Sequence, residues 1–366
     1  MKRNRSIPVM LAVAFTSAAP FSAPLHAEPF TFSPIVQSKA AGLPRAGAAA
    51  SAGLATTGVA AANAKSPPVR GTDETLLKFS PLRSAKAAPR TTSPQYQTWM
   101  SSEIADAWNA GFKGQGATIT VVDDFSSSRF ITGNLGTGTQ SLRHGEWTRL
   151  EASMIAPSAA MASHDFNSGR TVALAKSGLN VVNLSYGMFA KSGYTSNQIS
   201  WSGQETSLIS YATNGSAVVS KAAGNDAVAV GASNKAGNTD YLNVALIGTQ
   251  SALFVGALDR NGTPTQKANL ASYSNFAGAD VTVQRQFLTV GVRGDLTNLY
   301  GTSFAAPIVS GYAAVLGSKF TTATPTQIAN RLLDTARTDT INGYTASLHG
   351  RGEASIARAI APSSID

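Results

Sequence analysis

Four residue types stand in this 366-residue chain where they could together run an acyl transfer. They are a carboxylate in VVDDF (Asp123, with Asp124 beside it), an imidazole in RHGE (His144), an amide in AAGN (Asn225) and a hydroxyl in GTSF (Ser303). A serine hydroxyl is a weak nucleophile until a positioned base removes its proton. An imidazole does that work near neutral pH, and a carboxylate can hold it in the right tautomer. The oxyanion that then develops needs donors already in place, which an Asn amide and a backbone N–H at a helix start can supply. Each residue also has an ordinary reading. A Ser before a helix caps it, and Asp after a strand or Gly-Asn in a loop shapes a turn. Only the combination carries chemistry, so the elements that would assemble it decide the matter.

Those elements are legible after residue 94. Residues 101–110 (SSEIADAWNA) carry a capping Ser, early acids and helical apolar spacing. Residues 117–122 (ATITVV), 180–185 (NVVNLS), 216–222 (SAVVSKA) and 252–258 (ALFVGAL) are short β-branched or apolar runs that suit buried strands. Helices are predicted at 145–155, 205–213, 304–320 and 325–337. This alternation implies an α/β fold, a mainly parallel sheet with helices on both faces. Such sheets collect chemistry where strand carboxyl ends meet loops and helix starts. Asp123 follows the strand ATITVV, Asn225 follows SAVVSKA, and His144 and Ser303 each open a helix.

Composition narrows the classes. There is no cysteine, which excludes disulfides, thiol catalysis and thiolate metal sites. The net charge is +9, but residues 91–366 hold 18 basic against 17 acidic groups, so the excess lies upstream and no nucleic-acid partner is expected. Residues 1–27 place Lys2, Arg3 and Arg5 before a Pro-interrupted apolar run ending in Leu25-His26-Ala27, the pattern of a signal peptide. The prolines break the run, which falls short of a membrane span, and none is expected in the mature chain. Residues 28–94, rich in Ala, Pro and Gly, read as a largely disordered spacer or degenerate pro-segment. The third domain, 95–362, is expected to be the folded one that holds the four candidate residues.

Residues 300–311, YGTSFAAPIVSG, closely resemble the nucleophile segment of the subtilisin-like serine proteases, G-T-S-[MF]-A-[AT]-P-x-V-[AS]-G. Gly301, Thr302, Ser303, Ala305, Ala306, Pro307, Val309, Ser310 and Gly311 all match. AAGN resembles that family's oxyanion segment, and VNLSYG (182–187) its substrate-cradling strand. The resemblance runs from about residue 108 to 360 and implies a subtilisin-like fold. It implies that Asp123, His144 and Ser303 form the triad, that Asn225 is the oxyanion donor, and that Ser185, Tyr186 and Gly187 pair with an extended substrate. Two segments depart from the pattern: VVDDF stands for V-[IV]-D-[ST]-G, and Glu146 stands for the Thr of H-G-T. Strand register favours Asp123, with Asp124 the alternative. His164 and His349 sit in segments that do not match the family's base.

The expected function is therefore exported peptide-bond hydrolysis through an acyl-enzyme, in the periplasm, at the cell surface or outside the cell. Protein or peptide substrates, a monomer and no cofactor are expected; relatives carry structural calcium, but no motif indicates a metal site here. A catalytically impaired binding module is one alternative. An esterase is another, weakened because GTSFA lacks the second Gly of G-x-S-x-G.

Overall fold

The computed structural model describes residues 94–365 and the backbone of residues 7–8 and 12–14. The remainder of the leader, and the spacer up to residue 93, lie outside the described residues. In chain order the principal strands are β1 (Ala117–Asp123), β2 (Ala160–Asp165), β3 (Leu179–Leu184), β4 (Tyr186–Lys191), β5 (Val218–Ala222), β6 (Ala252–Leu258) and β7 (Phe287–Gly291). The principal helices are α1 (Glu103–Asn109), α2 (His144–Ile155), α3 (Gly203–Thr213), α4 (Ala306–Lys319) and α5 (Pro325–Asp334).

All strands but β4 form one six-stranded sheet in the order β7-β6-β5-β3-β1-β2, with every pair parallel. Period-two alternation divides its side chains between two cores. Ile119, Val121, Val181, Val218, Leu253, Val255, Leu288 and Val290 pack with Trp108, Trp147 and the apolar residues of α4 and α5. Val122, Val182, Leu184, Val219, Phe254 and Phe287 pack on the other face with Leu208 and Ala212 of α3. Each large aliphatic chain so buried is worth about 1.5–3 kcal/mol, and α4 is buried along its whole length from Ala306 to Ser318. Pro307 sits in its first turn, where the missing N–H costs no helical bond.

Two strands of the main sheet were not read from the sequence. β2 (AMASHD) is an edge strand with no fully buried position, so no apolar run announces it. β7 is the opposite edge and only five residues long. The chain also breaks at Ser185: β3 ends at Leu184, and β4 leaves the main sheet to pair antiparallel with Asn238–Asp240. Its other edge pairs antiparallel with the backbone of Ala12–Ala14, Val13 opposite Gly187.

Candidate active site

β1, β3 and β5 are the central strands, and their carboxyl ends lie side by side. Asp123 is the last residue of β1, Ser185 follows β3, and Asn225 lies just beyond β5. Ser303 lies in a 3₁₀ turn, Thr302–Phe304, directly before α4, one turn earlier than a residue opening the α-helix itself.

His144 is the first residue of α2, and its Nδ1 is 2.6 Å from Asp123 Oδ1. Both side chains are buried. The same oxygen accepts the Asp124 N–H (2.7 Å), while Oδ2 accepts the Thr148 hydroxyl (2.9 Å). The carboxylate is therefore satisfied at both ends, as burial demands. His144 Nε2 is buried and makes no hydrogen bond among the described residues. The imidazole packs 5.6 Å from the ring of Phe304, the neighbour of Ser303. Gly145 lets the start of α2 lie close against the loop after β1, because a Cβ there would lie 2.8 Å from the Asp124 carbonyl and 2.9 Å from the Phe125 ring.

Asp124 faces elsewhere. Its Oδ1 accepts the N–H groups of Ser126 (3.3 Å) and Ser127 (2.9 Å), and the Ser127 hydroxyl bonds its Oδ2. It organises the loop after β1. Glu146 reaches back to the Arg143 N–H (2.8 Å) and pairs with the Arg143 guanidinium at 3.2 Å. The departure from H-G-T is thus an N-terminal cap for α2, built from an acid in the first turn.

Thr302 orients the amide of Asn225: its N–H and hydroxyl both donate to Asn225 Oδ1, at 2.9 and 3.0 Å, and Gly224 N–H donates to the same hydroxyl. Nδ2 is left as the amide's other end, making no hydrogen bond among the described residues. Ser185 Oγ donates to the Ser303 carbonyl (2.9 Å), and Ser303 Oγ lies 3.5 Å from the Ser185 carbonyl. Beneath them Asn183 bonds Ser185 Oγ, and Ser310 of α4 bonds Asn183. The nucleophile turn is therefore tied to β3 by a polar ladder.

The structure brings Asp123 to His144, and Ser303 to Ser185 and, through Thr302, to Asn225. Tyr186 contributes differently from its neighbours. Its ring is buried against Phe166 and its hydroxyl lies 3.3 Å from Glu205, so only its backbone faces the β4 edge. His164 lies on β2 and bonds Ser168, while His349 ends the short helix Ala346–His349 near Tyr344. Thr148, Thr302 and Asn183 were not singled out by sequence reasoning. For Thr148 the signal was present: it lies four residues after His144, on the same helix face. Among the described residues no group of three or more His, Cys, Asp or Glu side chains could hold a metal ion.

A parallel sheet presenting this set at its carboxyl edge is the arrangement of the subtilisin-like serine peptidases. The chain belongs to the subtilase family (peptidase S8), whose family model matches residues 148–353 and so includes Asn225 and Ser303. It is similar to mycosin-5 of Mycobacterium tuberculosis, 39% identical over 94 residues, covering 23% of this chain and 16% of that protein. It is also similar to subtilisin DY of Bacillus licheniformis, 34% identical over 123 residues, 32% of this chain and 42% of that one. The aligned part of the chain thus spans less than half of either relative. Among solved structures, MycP1 from the ESX-1 type VII secretion system is 20% identical with a TM-score of 0.45, covering 70% of this chain and 83% of that one. The prenylagaramide maturation protease PagA is 19% identical with the same TM-score, covering 71% and 98%.

Proposed function

We propose that this protein is an exported serine endopeptidase. The observation that carries the reading is the 2.6 Å contact of His144 with the buried Asp123, at the sheet edge that also carries Ser303 and Asn225. Ser303 Oγ attacks the peptide carbonyl as His144 Nε2 takes its proton, and Asp123 holds the imidazolium. The oxyanion is held by Asn225 Nδ2 and the Ser303 N–H. His144 then gives its proton to the leaving amine, the C–N bond breaks, and an ester joins the acyl group to Ser303. Water, deprotonated by the same imidazole, hydrolyses that ester and returns the proton to Ser303.

The edge of β4 supports an extended substrate, because it already accepts an antiparallel strand: Ala12–Ala14 pairs with Tyr186–Met188. Removal of the leader on export frees that edge. Among the described residues no helix is long and apolar enough to cross a membrane. The test is fluorophosphonate labelling with peptide hydrolysis in the parent, Ser303→Ala and Asn225→Ala. Ser303→Ala should lose both label and hydrolysis, and Asn225→Ala should lower kcat by ~10²–10³ with KM little changed. An unlabelled parent, or hydrolysis by Ser303→Ala within tenfold of it, overturns the reading. The N-terminal sequence of the protein outside the cell tests export.

A further inference from the structure

Two polar side chains stand in the middle of the sheet where apolar ones would be expected. β3 and β5 are inner strands with both faces covered, and such strands ordinarily run as unbroken apolar residues. Asn183 of β3 and Ser220 of β5 are nevertheless partners in the parallel register, and both are fully buried. Asn183 follows Val181 by two residues, so it faces the core that holds α4. An amide buried there costs free energy unless it is hydrogen-bonded. Both ends of this one are: Oδ1 accepts the Ser310 hydroxyl of α4 (3.2 Å), and Nδ2 donates to Ser185 Oγ (2.9 Å).

These bonds run in one direction. The Ser303 carbonyl can only accept, so Ser185 spends its single hydroxyl proton there, at 2.9 Å. Ser185 Oγ must then accept from Asn183, which turns the amide nitrogen toward Ser185 and its oxygen toward Ser310. Ser310 is the donor at the far end, its hydroxyl shared with the Ala306 carbonyl at 3.0 Å. Ser220 Oγ donates to that same carbonyl at 2.9 Å. The first turn of α4 is thereby locked to β3 and β5 by the side chains that also hold the Ser303 carbonyl. On the other side of Ser303, Thr302 donates its N–H to Asn225 Oδ1 at 2.9 Å. Ser303 is held at both ends.

We propose that Asn183 and Ser310 are positioning residues for the nucleophile: through Ser185 they fix the carbonyl of Ser303, and with it the direction of its Oγ and N–H. Neither side chain touches the reacting atoms. A misplacement of about 1 Å at a reacting group can cost about a hundredfold in rate, so a small loosening of this turn is felt in kcat. The proposal rests on the peptidase reading above.

The test compares peptide hydrolysis and the rate of fluorophosphonate labelling, each per folded protein as given by urea melts. Asn183→Leu keeps the branching of the side chain and restores the apolar pattern of β3, so the fold should tolerate it. It should still lower kcat and the labelling rate together by about tenfold or more, with KM within about twofold of the parent. Ser310→Ala should lower the labelling rate by about fivefold in the parent and cause no further loss once Ser185 is Ala, because the link to Ser303 is then already cut. Should Asn183→Leu fail to fold, the Ser310–Ser185 pair of variants decides alone. A folded Asn183→Leu within about threefold of the parent in both rates overturns the proposal. So does a Ser310→Ala loss that is absent, or that is equal with and without the Ser185 hydroxyl, since its effect would then be one of packing. A parent that takes no label and cuts no peptide overturns the peptidase reading instead.

Discussion

His144 and Thr148, one turn apart on α2, hold the two oxygens of a single carboxylate: Nδ1 meets Asp123 Oδ1 at 2.6 Å and the Thr148 hydroxyl meets Oδ2 at 2.9 Å. His144 and Thr148 therefore ride on one rigid element, and any movement of α2 relative to β1 strains both contacts together. Thr148 is a positioning residue for the proposed triad. Thr148→Val keeps the shape and removes the donor. A hydrogen bond to a charged group is worth about 1.5–3 kcal/mol, so kcat should fall by roughly ten- to a hundredfold with KM unchanged. Thr148→Ser should restore most of the loss. Equal losses in both variants would mean that the methyl packing, not the hydroxyl, is what matters.

The adjacent aspartates should separate cleanly. Asp123→Asn removes the charge that holds His144 in its productive tautomer, and kcat should fall about 10⁴-fold near neutral pH. Asp124→Asn acts on the Ser126–Ser127 loop instead, and should cost about 1 kcal/mol of stability with a small change in kcat. Steady-state kinetics and urea melts on the two variants decide it. A crippled Asp124→Asn beside a near-normal Asp123→Asn would reverse the assignment.

Glu146 should prove structural despite its place beside the imidazole. Glu146→Thr restores the H-G-T pattern but deletes the acceptor for the Arg143 N–H and the contact with its guanidinium. The ion pair is partly exposed and weak, so the loss is mainly that of a cap, about 1 kcal/mol. Thermal melting should show that decrease while kcat/KM stays within about threefold of the parent. A tenfold gain in activity would show instead that the acid perturbs the base.

Much of this site could be read from the chain because its parts are local. A β-branched strand followed by Asp, a Gly-Asn after a strand, and GTSFAAP before a buried helix each declare their own geometry. Period-two alternation favours Asp123 over Asp124, and the two side chains do part: Asp123 meets His144 while Asp124 meets the Ser126–Ser127 loop. What stayed hidden depends on partners distant in sequence. The Lys221–Asp240 contact joins β5 to a residue whose neighbours say nothing of a buried ammonium. Edge strand β2 is half-exposed and so lacks the apolar run that betrays a buried strand. The resemblance assigns Tyr186 a backbone role, and nothing local to it announces that its ring belongs to the core around Phe166 and Glu205.

Stability should fall as the pH rises from 4.5 to about 7, through Glu353. Its carboxyl is buried near the Arg337 guanidinium, with Oε1 accepting the Gly262 N–H at 2.8 Å, and Oε2 has no hydrogen-bond partner among the described residues. Arg337 is already committed to Glu103 and to the Gly262 carbonyl, so it compensates Glu353 only in part. Desolvation dominates and pushes the Glu353 pKa up to about 7 from 4.5. Between those values the folded state binds a proton that the unfolded chain does not. The contribution is therefore fully present below pH 4.5 and lost as the pH rises through 7. A shift of this size corresponds to about 3 kcal/mol at most. Glu353→Gln keeps the volume and stays neutral, so its stability should lose that slope. Urea midpoints for parent and variant at pH 5 and pH 8 give the test, because every other titrating group cancels in the comparison. The parent should lose more stability than the variant between the two pH values; parallel losses would mean that Glu353 is ionised in the fold and that its charge is compensated after all.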